Sequence, residues 1–440
     1  MVTKKVRRIY RNLLSGGTNM EENKMTPSPK FLERLKLYED TIACKRTDKV
    51  LAAPLIMYLP IYLYGMTTVQ DVMMDYSKAE ESFIRYHQEY QPDLAWGPQI
   101  VFPGAALDGL DCQFLKWPGK QLSDPNAGFQ VLDREDGYMS PDEYLEYAED
   151  PTGFIMRKVL PRHYGALKGL EMVDLSNAVW QGGQYAMIPM SLPPVKAAFS
   201  AMAEAGEKMQ QMAAAGGKVC GMLAGMGWPN ACDMAFSSPF DLFNDTLRGF
   251  LNTTMDMIEY PDELLAALET STKMQIRAIK HTFATQPFMK TGVFFIHNGM
   301  DMFMSREQFK TFYWPGLKAC IEAVIECGGV PHIYLEDKYD DKLDIFADEL
   351  PAGKCIMTLI NCNMERAKEL FAGKICISGG VDAALLEYGT VDEVVKNVKH
   401  SIDILAPGGG YFLNADMSLD NAKPENLHAL FETANTYMKY

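Results

Sequence analysis

The chain has 440 residues and a formal net charge of −15, from 42 Lys and Arg against 57 Asp and Glu. Such an acidic chain offers no basic surface to nucleic acid and is repelled by anionic lipid, which excludes both as partners. Its nine cysteines include no Cys-x-x-Cys pair, and no signal-peptide pattern is evident at its start. We therefore expect reduced thiols and a cytoplasmic protein.

The first predicted boundary lies near residue 30. Residues 1–30 are interpreted as a flexible N-terminal tail, and residues 31–440 as one domain. Ser28 precedes Pro29, which is the arrangement of a capping residue followed by proline at the first helical position. A helix is therefore expected over about 30–45.

Beyond this helix, apolar runs that suggest strands alternate with helical patterns. The expected strands are 50–57, 94–102, 219–225, 292–297, 331–336, 355–359, 375–378 and 411–413. The clearest expected helices between them are 260–283, 305–327, 364–372, 391–405 and 423–437. This alternation predicts parallel strands joined by right-handed crossovers, which is the pattern of an α/β fold.

A helical insertion is expected near 190–215, because two prolines open an Ala- and Met-rich pattern over 195–214. Phe199, Met202, Met209 and Met212 fall near one face of this helix. A methionine face is more often core than cofactor site, so we interpret the helix as an amphipathic cover.

The segment from Val330 to Asp337 is the strongest candidate for function. Its apolar residues are followed by a polar end, and alternate residues of a strand point to the same face. His332, Tyr334 and Glu336 would then project together. A histidine and a carboxylate on one face can bind a metal or move a proton.

Polar residues recur at the ends of the other predicted strands. The carboxyl ends of parallel barrel strands share one mouth, where chemistry collects. The residues expected to converge there are His297, Asp301, His332, Glu336, Asn361, Cys362, Asp382, Asn414 and Asp416. Gly379 and Gly380 precede Asp382, and they permit either the close approach of a ligand or a tight turn. The segment from Asp245 to Gly249 resembles a capped helix start with an Asp–Arg pair and is interpreted as structural.

The C-terminal half resembles the uroporphyrinogen decarboxylase superfamily. The motifs that carry the resemblance are FKTFYWPGL at 309–317, GGVD at 379–382, GTVDEVV at 389–395, IDILAPGGGYFL at 402–413 and KPENL at 423–427. Weaker similarity extends back to about residue 31. The resemblance implies a (β/α)8 barrel, in agreement with the alternation of strands and helices.

One branch of this superfamily decarboxylates uroporphyrinogen with an Arg-rich segment and an Asp after the first strand. The matching window here, residues 52–65, contains neither Arg nor Asp. A substrate with eight carboxylates needs cationic partners. The resemblance to this branch is therefore not expected to extend to its activity, and a decarboxylase-like lyase is kept only as an alternative.

The other branch comprises corrinoid-dependent methyltransferases, which hold zinc with a His-x-Cys pair and a later Cys. Here His332 matches the histidine, Tyr334 replaces the first cysteine, and the second falls near Asp416 and Met417. The resemblance therefore implies an oxygen and nitrogen zinc site at His332, Glu336 and Asp416, or direct acid catalysis.

On this resemblance, we expect transfer of a methyl group from a small O- or N-methylated substrate, such as a methoxylated aromatic, to the cobalt of a corrinoid protein. The expected catalytic residues are Glu336, His297 and Asp301. Further expectations assign contacts with the corrinoid to Gly379, Gly380 and Asp382, and substrate walls to Tyr58, Tyr62 and Trp96. A catalytically silent corrinoid-binding barrel is a second alternative. The oligomeric state stays open, with a homodimer as one option.

Overall fold

The computed structural model describes residues 27–98, 101–132, 134–286 and 289–437. Most of the expected N-terminal tail, residues 1–26, lies outside these ranges. Seven parallel strands form the main sheet in the order β1-β9-β8-β7-β6-β5-β4, and a two-stranded hairpin, β2-β3, lies apart from it. The strands are β1 (Leu51–Ala52), β2 (Leu115–Lys116), β3 (Gln130–Val131), β4 (Met234–Phe236), β5 (Thr291–Ile296), β6 (Val330–Leu335), β7 (Ile356–Leu359), β8 (Cys376–Val381) and β9 (Tyr411–Ala415).

A short extended segment links the two edges of the sheet. Asp93 donates its backbone N–H to the carbonyl of Ala52 over 2.8 Å. Ala95 exchanges backbone hydrogen bonds of 2.8 Å with Pro229 and Ala231, just before β4. Residues 93–95 therefore take the eighth place in the barrel, where the sequence predicts a strand over 94–102. The predicted α/β barrel fold is confirmed, with seven paired strands and this bridging segment.

Helices follow the strands and cover the sheet. They are α1 (Pro29–Ile42), α2 (Leu59–Tyr64), α3 (Val69–Met74), α4 (Glu80–Tyr90), α5 (Gly104–Gly109), α6 (Tyr144–Glu149), α7 (Pro151–Phe154), α8 (Leu160–His163), α9 (Gln184–Met187), α10 (Pro193–Met226), α11 (Pro239–Asp241), α12 (Phe250–Glu259), α13 (Pro261–Thr285), α14 (Arg306–Gln308), α15 (Trp314–Glu326), α16 (Leu343–Glu349), α17 (Met364–Phe371), α18 (Ala383–Tyr388), α19 (Val391–Leu405) and α20 (Pro424–Thr436). Turns of π-helix span Ile155–Val159, Leu242–Leu247 and Phe309–Tyr313. None of these helices combines the length and apolar character needed to cross a membrane.

The amino-terminal end of the barrel is covered by α1. Ser28 accepts a hydrogen bond from the Phe31 N–H over 3.2 Å, so the predicted cap is confirmed. From the same helix, the Tyr38 hydroxyl lies 3.0 Å from Oγ1 of Thr291, the first residue of β5. Because α1 packs at this end, chemistry is confined to the opposite, carboxyl-terminal end of the strands.

The expected strand at 219–225 is wrong, because these residues form the last turns of α10, a helix of 34 residues. The expected apolar face of this helix is also wrong for three of its four members. Phe199, Met202 and Met209 are 41%, 38% and 48% exposed, whereas Met212 is buried. The buried face instead uses smaller residues such as Val195 and Ala198, which allow close packing against Gly165–Met172.

Candidate functional site

Three neighbouring strands bring together the polar side chains of the candidate site. Strand β5 pairs with β4 on one side and with β6 on the other. Asp241 and Asp245 follow β4 on a helical segment, His297 directly follows β5, and Glu336 directly follows β6. The carboxyl ends of adjacent parallel strands lie together, so these four residues form one group, here called the His297 cluster.

His297 lies between two carboxylates. Its Nε2 atom is 2.9 Å from Oδ1 of Asp245, and its Nδ1 atom is 3.1 Å from Oε2 of Glu336. Burial alone would lower the pKa of His297, but the hydrogen bonds from Asp245 and Glu336 and the nearby charge of Asp241 raise it to about 11. The imidazole is therefore positively charged at neutral pH and donates a hydrogen bond to each carboxylate.

Asp241 forms the buried wall of the cluster. It is 1% exposed, and its Oδ2 atom accepts hydrogen bonds from the hydroxyls of Ser238 over 2.9 Å and Tyr313 over 2.6 Å. Burial raises the pKa of Asp241 to about 6, against the opposing charge of His297. A buried carboxylate with fixed donors has a defined orientation, which suits a metal ligand or an electrostatic partner of His297.

Asn298 joins the two aspartates. Its Nδ2 atom donates to Oδ1 of Asp241 over 2.9 Å and to Oδ1 of Asp245 over 2.8 Å. One ligand atom from each of Asp241, Asp245 and His297 lies within 4.8 Å of the other two. These three residues form a candidate metal group with one nitrogen and two oxygen donors.

A buried ion pair anchors the segment that carries Asp245. Arg248 donates from Nε to Oδ2 of Asp256 over 2.6 Å and from one terminal nitrogen to Oδ1 over 3.1 Å. Tyr144 donates its hydroxyl to the same carboxylate over 2.7 Å. The predicted pair of Asp245 with Arg248 is therefore wrong, because Arg248 is held by Asp256 and leaves Asp245 to contact His297 and Asn298.

His332 occupies the barrel interior rather than the mouth. Its side chain is buried, its Nε2 atom lies 2.7 Å from Oγ1 of Thr358, and its ring stacks on Tyr334 at 4.4 Å. Burial lowers the pKa of His332 to about 3, so the imidazole is neutral. Four residues of extended strand place its Cα about 13 Å from that of Glu336.

Asp416 is likewise separate from the His297 cluster. It accepts the backbone N–H of Ala383 over 3.0 Å, and burial raises its pKa. Within the described residues, His332, Glu336 and Asp416 do not form a group with ligand atoms inside 4.8 Å of one another. The structure brings Glu336 to His297 and leaves His332 and Asp416 elsewhere.

Asp301 lies on the loop after β5 and is occupied by an ion pair. Its Oδ1 atom lies 2.7 Å from Nζ of Lys342, a side chain that is 1% exposed. Asp301 also lines a cavity of about 510 Å³ with acidic neighbours that include Asp337 and Asp341. The contact with Lys342 joins the loops after β5 and β6, and the catalytic assignment of Asp301 stays a prediction.

The glycines at the end of β8 have packing partners. Gly379 and Gly380 have positive φ angles of 121° and 92°. A Cβ atom on Gly380 would lie 2.9 Å from the Tyr411 hydroxyl and from Cβ of Ser401, so close packing requires glycine there. Asp382 caps α18 by accepting from the N–H groups of Ala384 and Leu385. These contacts explain the motif without a ligand, and corrinoid binding by it stays a prediction.

The three expected substrate-wall residues lie near the end of β1. Tyr58 and Trp96 are each 3% exposed, and the ring of Tyr58 lies 6.0 Å from that of Tyr62. The Trp96 indole donates to the carbonyl of Ala53 over 3.2 Å, and the Tyr62 hydroxyl donates to that of Asn126 over 2.6 Å. In the barrel order β1 lies opposite β6. The role of these three rings as substrate walls stays a prediction.

Sequence reasoning missed Asp241, Asp245 and Asn298. The signal was present, because polar residues follow β4 just as they follow β5 and β6. It was not recognised because β4 has only three residues and the preceding strand was misplaced at 219–225. Without β4, nothing in the sequence placed the two aspartates beside His297.

Comparisons with known proteins agree with this architecture. Residues 234–437, just under half of the chain, match the family model described as Uroporphyrinogen decarboxylase (URO-D), and they contain the whole His297 cluster. A comparison with curated proteins gave no match. Among solved structures, a methyltransferase from Methanosarcina mazei is similar in fold, with a TM-score of 0.56 at 12% identity over 91% of this chain and 97% of that chain. The similarity to the uroporphyrinogen decarboxylase family is thus carried by residues 234–437.

Proposed function

We propose that the chain is a methyltransferase of this superfamily. It would take a methyl group from a small O- or N-methylated substrate, such as a methoxylated aromatic, and pass it to the cobalt of a corrinoid protein. The fold shared with a methyltransferase from Methanosarcina mazei supports the general activity. The corrinoid partner and the donor class come from the sequence resemblance, and the cytoplasmic location comes from the cysteine pattern. All three are part of the proposal.

The observation that carries the proposal is the charged imidazole of His297 at the barrel mouth. A methyl group on oxygen or nitrogen is a poor electrophile until the heteroatom is protonated or otherwise polarised. As the bond from the methyl carbon to the heteroatom breaks, the heteroatom gains electron density. A charged N–H donor placed there stabilises this change and can supply a proton.

Access to the imidazole supports this role. The side chains of His297, Asp245 and Glu336 are 38%, 35% and 38% exposed, so the cluster is open on one side. A substrate heteroatom can replace either carboxylate as the acceptor of a His297 N–H. Asp241 remains behind the ring and keeps a negative charge next to it, which retains the imidazolium form.

The zinc set implied by the sequence resemblance does not fit the structure. The buried, neutral His332 is hydrogen-bonded to Thr358 in the barrel interior, whereas Glu336 contacts His297 at the mouth. Asp416 is hydrogen-bonded to Ala383. We therefore derive no step through a metal held by these residues.

The proposal is tested by incubating the purified chain with cob(I)alamin and a panel of methoxylated aromatics and N-methylated amines. Formation of methylcobalamin is followed by absorbance. Turnover of at least one donor, lost in His297→Gln but kept in the surface variant His400→Gln, is the expected result. Tight corrinoid binding without turnover of any donor would instead indicate the silent barrel and contradict the proposal.

A further inference from the structure

We propose that Asp241, Asp245 and Nε2 of His297 form a divalent metal site of the zinc class, with Glu336 as the carboxylate that orients the histidine. This site differs in all but Glu336 from the residues that the sequence resemblance implies, and it gives Glu336 a supporting rather than a ligating position. The inference concerns the same cluster as the proposed function. It does not depend on methyl transfer taking place.

The donor atoms match zinc in type and number. Zinc binds histidine nitrogen and carboxylate oxygen at about 2.0–2.2 Å, so two ligands of a tetrahedral ion lie about 3.3–3.6 Å apart. The three candidate donors already lie within 4.8 Å of one another, and Nε2 of His297 is 2.9 Å from Oδ1 of Asp245. Binding an ion therefore requires small side-chain movements and the loss of the Nε2 proton of His297, so the zinc-bound site and the imidazolium of the metal-free protein are two alternative states of the same cluster.

The surroundings of the ligands are those of a metal site. A ligating histidine commonly donates its other ring N–H to a carboxylate, which fixes its orientation and increases its basicity. Here Nδ1 of His297 faces Oε2 of Glu336 at 3.1 Å, which leaves Nε2 directed at the two aspartates.

Each aspartate is also held by neutral donors. Asn298 contacts both carboxylates, and the hydroxyls of Ser238 and Tyr313 contact Asp241. None of these donors carries a charge, so they orient the carboxylates without neutralising them.

The charge of the cluster favours a cation. Asp241, Asp245 and Glu336 surround one imidazole, and Arg248, the nearest arginine in sequence, is paired with Asp256. The imidazolium of His297 compensates only one of these three negative charges, and a divalent ion that replaces its Nε2 proton compensates more of them.

Three protein ligands on a partly exposed face leave one coordination position open. This is the arrangement of catalytic rather than structural zinc. The open position would accept the heteroatom that carries the methyl group, or water in the absence of substrate.

The test measures metal, not turnover. Metal-free protein is titrated with Zn²⁺ by calorimetry, and the metal content after gel filtration is measured by mass spectrometry. We expect one equivalent bound by the wild type. Affinity should fall at least tenfold in His297→Gln, Asp241→Asn and Asp245→Asn, and about 10–100-fold in Glu336→Gln, which loses only the orienting carboxylate.

Two histidine variants discriminate between the candidate sites. His400→Gln changes an exposed residue of α19, and His332→Gln changes the ligand implied by the resemblance. Both should retain one zinc. Zinc lost in His332→Gln but kept in His297→Gln, or no stoichiometric zinc in the wild type, would overturn the inference.

Co²⁺ substitution adds a readout of the donor atoms. The expected spectrum has d–d bands and lacks thiolate charge transfer, because no cysteine belongs to the group. A charge-transfer band would overturn the assignment. If an Asp241→Asn protein is unfolded by circular dichroism, the half-exposed Asp245→Asn replaces it.

Failure of this inference is distinguishable from failure of the proposed function. Methyl transfer that depends on His297 in a protein without zinc affinity would refute the metal site and leave the function standing. Zinc binding at the cluster without methyl transfer to any donor would refute the proposed function and leave the metal site standing.

Discussion

Nδ1 of His297 lies 3.1 Å from Oε2 of Glu336, and this contact connects the carboxyl ends of β5 and β6. On its other side the same ring contacts Asp245, which follows β4. Three successive strands thus contribute to one charged group. The position of Glu336 follows from the pleat of β6, because residues two apart share a face and those at 332 and 334 point into the barrel.

Glu336→Gln is expected to reduce methyl transfer to cob(I)alamin by about 10²–10⁴-fold, because it removes a carboxylate that holds the proton on His297. The side chain is 38% exposed, so its replacement leaves no core cavity, and the melting temperature should change by only a few degrees. Glu365→Gln, which makes the same change at an exposed position on α17, serves as the control. Near-native turnover by Glu336→Gln would remove this residue from the mechanism.

The histidines are expected to differ in protonation at pH 7. His297 has a pKa raised to about 11, whereas burial lowers the pKa of His87 and His163 to about 4. Nuclear magnetic resonance of metal-free protein with ¹³C-labelled histidine should show one imidazolium that persists at pH 9 and disappears in His297→Gln. A neutral His297 at pH 7 would contradict the charged cluster.

The raised pKa of His297 also predicts how the unfolding free energy changes with pH. The pKa of His297 is higher in the folded chain than its ordinary value of 6.5, so its stabilisation is complete below pH 6.5 and is lost as pH rises towards 11. The unfolding free energy of the wild type should exceed that of His297→Gln most at pH 6 and least at pH 10, in urea titrations of metal-free protein. A difference that grows with pH would refute this assignment.

Breaking the buried pair of Arg248 and Asp256 should be costly. Their side chains are 6% and 3% exposed, and removing one partner of such a pair leaves an uncompensated charge, at a cost of about 3–5 kcal/mol. Arg248→Met is therefore expected to lower the unfolding free energy by that amount in urea. Lys280→Met, at a pair 52% and 63% exposed, should lower the unfolding free energy far less than Arg248→Met does. If both variants lose the same unfolding free energy, the buried pair contributes no more to stability than the exposed pair does, which would contradict this prediction.

The chain is not expected to decarboxylate uroporphyrinogen at a useful rate, although residues 234–437 match the family model that carries this name. Residues 52–65 contain no arginine, and the His297 cluster at the mouth is rich in carboxylates. A substrate with eight carboxylates would be repelled there. Incubation with uroporphyrinogen III followed by chromatography checks this, and clear formation of coproporphyrinogen would contradict it.

Much of the C-terminal half was predictable because its elements are long and regularly patterned. Helix α19 spans the expected 391–405, and β6 spans Val330–Leu335 against an expected 331–336. The apolar run of 219–225 was mistaken for a strand because a short apolar run has no period that separates strand from helix. These residues are helical because they form the end of a continuous helix of 34 residues.

The candidate site was predictable only in part. His297 and Glu336 follow long strands, so their meeting at the mouth could be inferred from topology. The position of His332 could not, because alternation places it on the same face as Glu336 but does not specify depth in the barrel. Asp241 and Asp245 depended on recognising the three-residue β4, and their contacts with Asn298 require the tertiary structure.

The most direct test of the account is a single-turnover measurement of methyl transfer to cob(I)alamin in His297→Gln and His332→Gln, with the donor found by the substrate panel. If the His297 cluster is the reactive centre, His297→Gln should lose about 10²–10⁴-fold in rate while its melting temperature stays within a few degrees of the wild type. His332→Gln should stay within a few-fold wherever it remains folded. Wild-type turnover by His297→Gln would contradict the account.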